Sequence, residues 1–306
     1  MQLISLDQVF KILRPGVPLP FGVRDARGNL LLAKGLVVPD QQRLYSLLNR
    51  GMFVDQEDAK SALAGRGEEI DAAPISYIPQ FSVRWETQQR KLGQVLRAPG
   101  EPKFLQEIQE SVEQVAAFSE GDGDRVLFSI LRHDYTQYEL YAESHALHVA
   151  ALCGMVSRRL SWPEERRKSV IGAALTMNLG MINLQAKLAG QSGPLTPKQR
   201  KDINSHPLLS AEMLRNVGLK DLEWLTAVEQ HHEVPGGTGY PNKVAAPGDA
   251  SQLVRLCDIF IAKHSPRIGR TQLPSHQAAR DLYSQSTGNP LAAALIKECG
   301  IFPPGS

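Results

Sequence analysis

Two adjacent histidines followed by a glycine-rich turn constrain this chain more than any other part of its sequence. His231 and His232 precede Glu233, and the segment Gly236–Pro241 reads GGTGYP. Folding alone rarely needs such a pair, whereas imidazole nitrogens are common ligands of Zn²⁺ and related ions. A third histidine, His206, lies upstream in a region with a helical pattern. The three histidines indicate a metal site, and the alternative is a hydrogen-bonded cluster that holds no metal.

The segment from His231 to Pro241 also carries a family resemblance. It resembles the HHExxDGxGYP signature of HD-GYP domains, which are bacterial metal-dependent phosphodiesterases that hydrolyse cyclic di-GMP. Upstream, Ala173–Ile182 resembles that family's AALLHDIGKI segment at its alanine, glycine and isoleucine positions. The resemblance implies a mainly α fold, with an all-helical HD/HD-GYP-type bundle. The N-terminal sequence adds a small α+β domain before it.

The name-giving His-Asp pair of that family is missing from this chain. Met177 and Asn178 stand at those two positions, and Met181 stands where the family has a lysine. The family signature also has an aspartate where this chain has Gly236, and trinuclear members have a glutamate where it has Tyr141. The resemblance therefore implies a degenerate member.

These replacements remove the groups that two-metal hydrolysis requires. A bridging carboxylate holds the two ions about 3.5–4 Å apart around the attacking hydroxide, and the neutral amide of Asn178 cannot bridge. The thioether of Met177 is a poor ligand for Fe, Mn or Mg. The alternative interpretation is structural, because methionine commonly fills gaps in apolar cores. Met177, Asn178 and Met181 would then lie on one apolar helix.

The resemblance leaves five of the family's metal ligands in place. They are His145, His206, His231, His232 and Asp258. His206, His231 and His232 are enough for one divalent transition metal such as Fe, Mn or Zn, with water in an open position. The other position keeps only His145 and Asp258, which are too few to hold a second ion. The alternative is that no metal is bound.

Two further sets of residues are candidates for ligand and partner contacts. Arg267 and Arg270 fall where the family places basic residues that contact the phosphates of the dinucleotide, unless they are solvated. The family's GYP loop contacts diguanylate cyclases, so the resemblance implies a partner loop made of Gly236, Gly237, Gly239, Tyr240 and Pro241. His148 is expected to be a packed or surface residue, and His264 and His276 receive no role.

Composition excludes several other classes of protein. The 306 residues are 42% hydrophobic and carry a net charge of +2, so no strong field favours a nucleic-acid partner. No segment reaches the length of about 18 apolar residues that a membrane span needs, and no secretory signal is evident. Cys153, Cys257 and Cys299 lie far apart in apolar surroundings and are predicted to be buried thiols. The sequence predicts a cytoplasmic protein and leaves its oligomeric state open.

The pattern along the chain predicts five regions. They are a small α+β accessory domain (1–58), a linker (59–78), a helical connector (79–121), the degenerate HD-GYP domain (122–295) and a C-terminal tail (296–306). Strands are expected within Pro18–Asp25, Leu30–Ala33 and Met52–Val54, with a helix after Asp40. Helices are predicted near 81–97, 102–119, 139–160, 163–178 and 197–215.

Two functions from different classes remain open on the sequence alone. The first is a non-catalytic member of bacterial cyclic di-GMP signalling that binds cyclic di-GMP or a protein such as a diguanylate cyclase. The second is a residual phosphodiesterase that works with a mononuclear three-histidine site. The first is favoured, because loss of the bridging carboxylate and the lysine removes much of the charge stabilisation of the transition state.

Overall fold

The chain folds into two compact units, residues 1–87 and 88–306, in a computed structural model. The structure describes residues 2–25, 28–39, 44, 52–64, 78–131, 140–265, 275–286 and 288–300. Helices predominate, with a small sheet near the N-terminus, which confirms the predicted fold class. None of the helices within these ranges combines the length and apolar character that a membrane crossing needs.

The N-terminal unit contains a four-stranded antiparallel sheet. Its strands are β1 (Leu3–Ser5), β2 (Val23–Arg24), β3 (Leu30–Leu32) and β4 (Phe53–Asp55), in the spatial order β1-β4-β2-β3. The predicted hairpin of β2 and β3 is confirmed, with Val23 opposite Leu32. A 3-10 helix, Leu6–Ile12, follows β1. Strand β1 was not predicted, because three residues are too few to show a period.

The first helix of this unit corrects the predicted linker. Helix α1 (Gln56–Ala64) follows β4 directly and buries Ala59 and Leu63 in the same core as Val54. The linker prediction over 59–78 therefore fails at 59–64, where alanines taken as linker residues act instead as helix formers. The helix predicted after Asp40 lies outside the described residues, except for Leu44, which is buried.

The second unit is built from helices, the first of which begins in the N-terminal unit. They are α2 (Ile78–Leu96), α3 (Phe104–Gly121), α4 (Gly123–Leu131), α5 (Tyr141–Arg159), α6 (Glu164–Thr176), α7 (Ile182–Ala189), α8 (Pro197–Asn216), α9 (Leu222–Gln230), α10 (Asp249–His264), α11 (Ser275–Gln285) and α12 (Pro290–Cys299). The predicted helices near 81–97, 102–119, 139–160 and 197–215 are confirmed to within a few residues.

Helix α5 is the central helix of this unit. Every residue from Tyr141 to Ser157 is buried, which is the pattern of a helix surrounded on all sides. It packs against α3, α6, α10 and α12. His145 and His148 are therefore both interior residues. The prediction that the three cysteines are buried thiols is also confirmed, since none forms a disulfide.

Helix α6 ends earlier than its sequence pattern predicts. Its last residue is Thr176, and a separate 3-10 helix runs from Leu179 to Met181, so Met177, Asn178 and Met181 do not share one helix. The hydroxyl of Ser210 donates to the Met177 carbonyl over 2.8 Å and accepts from the Gly180 N–H over 2.9 Å. These are backbone groups that a continuing α-helix would pair internally.

Candidate metal centre

The three histidines of the predicted metal site lie together in the structure. His206 lies inside α8, His231 caps the C-terminus of α9, and His232 follows it. One ring nitrogen from each lies within 4.8 Å of the others. His206 and His231 are fully buried, whereas His232 is partly buried. Helices α8 and α9 pack against each other, and their contact brings residues 25 positions apart into one cluster.

Pro207 fixes the orientation of the His206 ring. A proline has no N–H, so Pro207 cannot bond to the carbonyl of Ile203 four residues earlier. That carbonyl instead lies 2.6 Å from His206 Nδ1. Because a carbonyl only accepts, Nδ1 carries the proton and Nε2 carries the lone pair. The helix continues through Pro207 to Asn216.

The His231 ring is also oriented by a backbone carbonyl, which in this case lies at the end of a helix. Its Nδ1 lies 2.7 Å from the carbonyl of Val228, which belongs to the last turn of α9, where carbonyls lack helical partners. Helix α9 is itself fixed on α6, since Trp224 Nε1 donates to Thr176 Oγ1 over 2.8 Å. A Cβ on Gly172 would lie 2.3 Å from the Trp224 ring, so only glycine admits the indole there.

Together the two orientations create an arrangement that favours a cation. His206 Nε2 and His231 Nε2 face each other at 3.1 Å. Burial lowers the pKa of His206 to about 3 and also lowers the pKa of His231 and His232. Both facing nitrogens are therefore neutral acceptors near pH 7, and a shared cation would replace their repulsion with two bonds. Imidazole donors suit Zn, Fe, Cu or Ni rather than Mg or Ca, so the residues fit one transition-metal ion.

His145 and Asp258 form a separate pair beside this cluster. His145 Nε2 lies 2.7 Å from Asp258 Oδ1, and the Tyr141 ring stacks on His145 at 5.6 Å. Burial would raise the pKa of Asp258, but the hydrogen bond and charge of His145, with the charges of His232 and His231, lower it well below its usual value. The five predicted ligands thus lie in one neighbourhood, divided into three histidines and one hydrogen-bonded pair.

The two residues that the resemblance aligns with the family's His-Asp pair are interior. Met177 is fully buried, as expected of a core methionine, and Asn178 is 6% exposed. The side-chain oxygen of Asn178 has no hydrogen-bond partner among the described residues, an arrangement that costs about 1–3 kcal/mol. Met181 is partly exposed. A Cβ on Gly180 would lie 3.0 Å from the His206 carbonyl oxygen, so this turn packs closely on α8.

The loop after the histidine pair is held from inside by Glu233. Its carboxylate is fully buried and accepts from the N–H groups of Asn242 and Val244 over 2.7 and 3.0 Å. The sequence displays Glu233 within the motif, but no role was predicted for it. An acidic residue directly before a glycine-rich loop is the sequence signal that could have found this role.

Only part of the predicted partner loop is exposed to solvent. Gly236 is exposed with φ of +93°, and Pro241 is partly exposed. Gly239 is buried, and it packs so closely that a Cβ there would lie 2.5 Å from the backbone of His232, Glu233 and Val234. The Tyr240 ring stacks on His232 at 4.6 Å. Gly239 therefore offers no exposed backbone to a partner.

The remaining candidates divide into packed residues and residues outside the described ranges. His148 is fully buried in α5, which confirms the packed interpretation. His264 is fully buried at the end of α10 with its ring edge against Phe260 at 4.6 Å. Arg267 and Arg270 lie outside the described residues, as does the side chain of His276.

Comparisons with known proteins show the family of this chain. The model of the HD domain family matches residues 125–288, which is more than half of the 306-residue chain. A Vibrio cholerae serotype O1 protein named 3'3'-cGAMP-specific phosphodiesterase 3 is 25% identical over 143 residues, 45% of this chain and 30% of that protein. The chain thus matches less than a third of that curated relative.

A solved structure shares the fold over nearly the whole chain. It is Bd1817, an HDG"Y"P protein from Bdellovibrio bacteriovorus, with a TM-score of 0.59, 15% identity and 97% coverage of both chains. At that identity the likeness concerns the fold. With the family match, the curated relative and the HHE…GYP segment taken together, the chain belongs to the HD domain family and, within it, to the HD-GYP type.

Proposed function

We propose that this chain is a degenerate HD-GYP protein of bacterial cyclic-dinucleotide signalling that acts by binding rather than by hydrolysis. The observation that carries the proposal is the composition of the ligand cluster. Among the described residues, the group of His, Cys, Asp and Glu side chains that could hold a metal consists of three histidines and no carboxylate. Such a set can hold one ion, whereas two-metal hydrolysis needs a bridging carboxylate.

The pair of His145 and Asp258 supports the same proposal. His145 Nε2 and Asp258 Oδ1 are bonded to each other over 2.7 Å, and because a carboxylate oxygen only accepts, His145 Nε2 carries the proton. Asn178 contributes a neutral amide at the bridging position. His145 and Asp258 therefore act here as a structural pair that joins α5 to α10.

One divalent ion held by His206, His231 and His232 would supply a Lewis acid for a phosphate oxygen. The chain's own residues do the rest: they exclude water around the buried nitrogens and keep those nitrogens neutral. Met181 stands at the lysine position, so that position offers no cation to stabilise the charge of a phosphorane-like transition state. Binding of a phosphodiester without turnover is the expected result.

The proposed ligand is a cyclic dinucleotide, with cyclic di-GMP as the first candidate. The Vibrio relative is named for 3'3'-cGAMP, which belongs to the same chemical class. We propose Arg267 and Arg270 as the residues that pair with its phosphates. The proposed protein partner is a diguanylate cyclase or another signalling protein at the exposed part of the loop, Gly236–Thr238. A cytoplasmic location would suit the three buried free thiols.

A residual phosphodiesterase with a mononuclear site is the second candidate, because the three histidines retain the geometry of a single-ion site. One experiment separates the two functions. Purified full chain, loaded with Zn, Mn or Fe in turn, is assayed for hydrolysis of cyclic di-GMP and 3'3'-cGAMP and for binding of both by calorimetry. Binding without product formation supports the first function. Metal-dependent product formation that His231→Ala abolishes supports the second.

A further inference from the structure

Two residues on one face of α2, and a third directly after its last residue, lie beside the first turn of the helix that carries His145. Gln89, Gly93 and Arg97 recur at intervals of four residues, which places them in a row on one side of a helix. Gln89 Nε2 donates to the Ser144 hydroxyl over 2.9 Å, and both side chains are buried. Ser144 is the residue directly before His145, so this bond fixes the backbone next to a candidate ligand.

Arg97 holds the other residue of that turn through a bidentate ion pair. Its Nη2 donates to Glu143 Oε2 over 2.9 Å, and its Nη1 donates to Oε1 over 3.2 Å. The side chain of Glu143 is 4% exposed and that of Arg97 is 39% exposed. A fork-shaped pair of this kind fixes direction as well as charge. The carboxylate of Glu143 is therefore committed to Arg97 and does not serve as a replacement metal ligand.

Gly93 is the residue that makes room for this ion pair. A Cβ at this position would lie 2.9 Å from Glu143 Oε1 and 2.9 Å from Arg97 Nη1. The Gly93 carbonyl also accepts from Arg97 Nη1 over 2.8 Å. Glycine is unfavourable inside a helix, so its presence near the end of α2 needs a packing reason. The ion pair supplies that reason.

We infer that Gln89, Gly93 and Arg97 are positioning residues for His145. They hold Glu143 and Ser144 against α2, and the turn fixed in this way places the His145 ring on Asp258. Helix α2 begins at Ile78, inside the unit of residues 1–87, and ends in the unit of residues 88–306. A displacement of α2 would therefore act on the pair of His145 and Asp258 through this turn. Only the consequence for ligand binding rests on the proposed function.

The deciding variant is Gly93→Ala in the full chain, because it keeps both charges and adds one methyl group. Gly100→Ala is its matched control, since a Cβ on Gly100 meets no atom within 4 Å. The readout is the downfield NMR resonance of the His145 Nε2 proton, assigned by its loss in His145→Gln. We expect this resonance to shift or broaden in Gly93→Ala and to stay in place in Gly100→Ala. An unchanged resonance in folded Gly93→Ala overturns the inference.

Two further variants keep the test decisive if Gly93→Ala does not fold. Glu143→Gln preserves the shape of the side chain and weakens the pair, and it must move the same resonance. Arg97→Ala must move it too, whereas Arg97→Lys, which keeps one charged donor, must restore part of the shift. An unchanged resonance in folded Arg97→Ala would contradict positioning by the bidentate pair.

Calorimetry with cyclic di-GMP separates this inference from the proposed function. If the dinucleotide binds, the dissociation constant of Gly93→Ala should rise about tenfold, within the usual range of coupling between sites. If the unmodified chain does not bind the dinucleotide, the proposed function fails. The NMR comparison would still decide whether Gln89, Gly93 and Arg97 position His145.

Discussion

His206 bonds to the backbone carbonyl that Pro207 leaves without a partner. The distance from His206 Nδ1 to the Ile203 oxygen is 2.6 Å, and a residue with an N–H at position 207 would compete for that oxygen. The proline is thus part of the metal site although it offers no ligand atom. It selects the tautomer in which Nε2 faces His231.

Replacing this proline should weaken metal binding without weakening the helix. In Pro207→Ala the new N–H takes the Ile203 carbonyl, and His206 loses the bond that fixes its ring. We expect Zn²⁺ affinity to fall about tenfold, as is typical when a ligand loses its supporting hydrogen bond. Chelator competition measures it. Pro197→Ala, at the start of the same helix, is the control, and equal affinities in all three proteins would contradict the role given to Pro207.

Metal content should reach one ion per chain. The ion is held by the three histidines, so His231→Ala should lose it and His145→Ala should keep it. Elemental analysis after dialysis measures both variants beside the unmodified chain. Two ions per chain that survive dialysis would show that Asn178 or another group bridges them, and would contradict a single-ion site.

Restoring the missing pair should restore a second ion. Met177→His together with Asn178→Asp supplies the bridging carboxylate and its neighbouring ligand, so both metal content and hydrolysis of cyclic di-GMP should rise. Each single change should raise metal content and hydrolysis less, because one ion would still lack a ligand. Product formation by liquid chromatography is the measurement. Vigorous hydrolysis by the unmodified chain would refute the non-catalytic proposal.

A side chain at position 239 should destabilise the loop and lower the stability of the fold. A Cβ there would lie 2.5 Å from three backbone atoms of residues 232–234, and backbone cannot move aside as a side chain can. We expect Gly239→Ala to lower the free energy of unfolding by about 1–3 kcal/mol. Gly193→Ala, whose Cβ would meet no atom within 4 Å, should change it little. Urea unfolding of the metal-free proteins compares the two.

His264 should make the fold sensitive to acid. Burial lowers its pKa to about 4, below the value of about 6.5 in an unfolded chain. The unfolded state therefore takes up a proton first as the pH falls, and the stabilisation present above pH 6.5 is lost between that value and about 4. His264→Phe should flatten the decline of the melting temperature between pH 7 and 5 in metal-free protein. An unchanged slope would contradict this assignment.

The sequence predicted those features that depend on local periodicity and on motif chemistry. Helices α5 and α8 and the proximity of His206 to His231 follow from apolar spacing and from the histidine pattern. The early end of α6 could not be predicted, because Ser210, more than thirty residues away, takes its hydrogen bonds. The inward position of Gly239 depends in the same way on the backbone of His232. Contacts between distant segments decide such details, and a single sequence does not display them.

Ser210 stabilises the turn after α6 through main-chain groups, so this contact does not depend on the side chains at 177 and 178. Ser210 holds the carbonyl of one residue and the N–H of Gly180, and neither contact involves the side chain of Met177 or Asn178. The scaffold can therefore lose or regain reactive groups here without refolding. We expect substitutions at 177 and 178 to change the reactive groups that this turn presents while its main-chain hydrogen bonds to Ser210 stay in place.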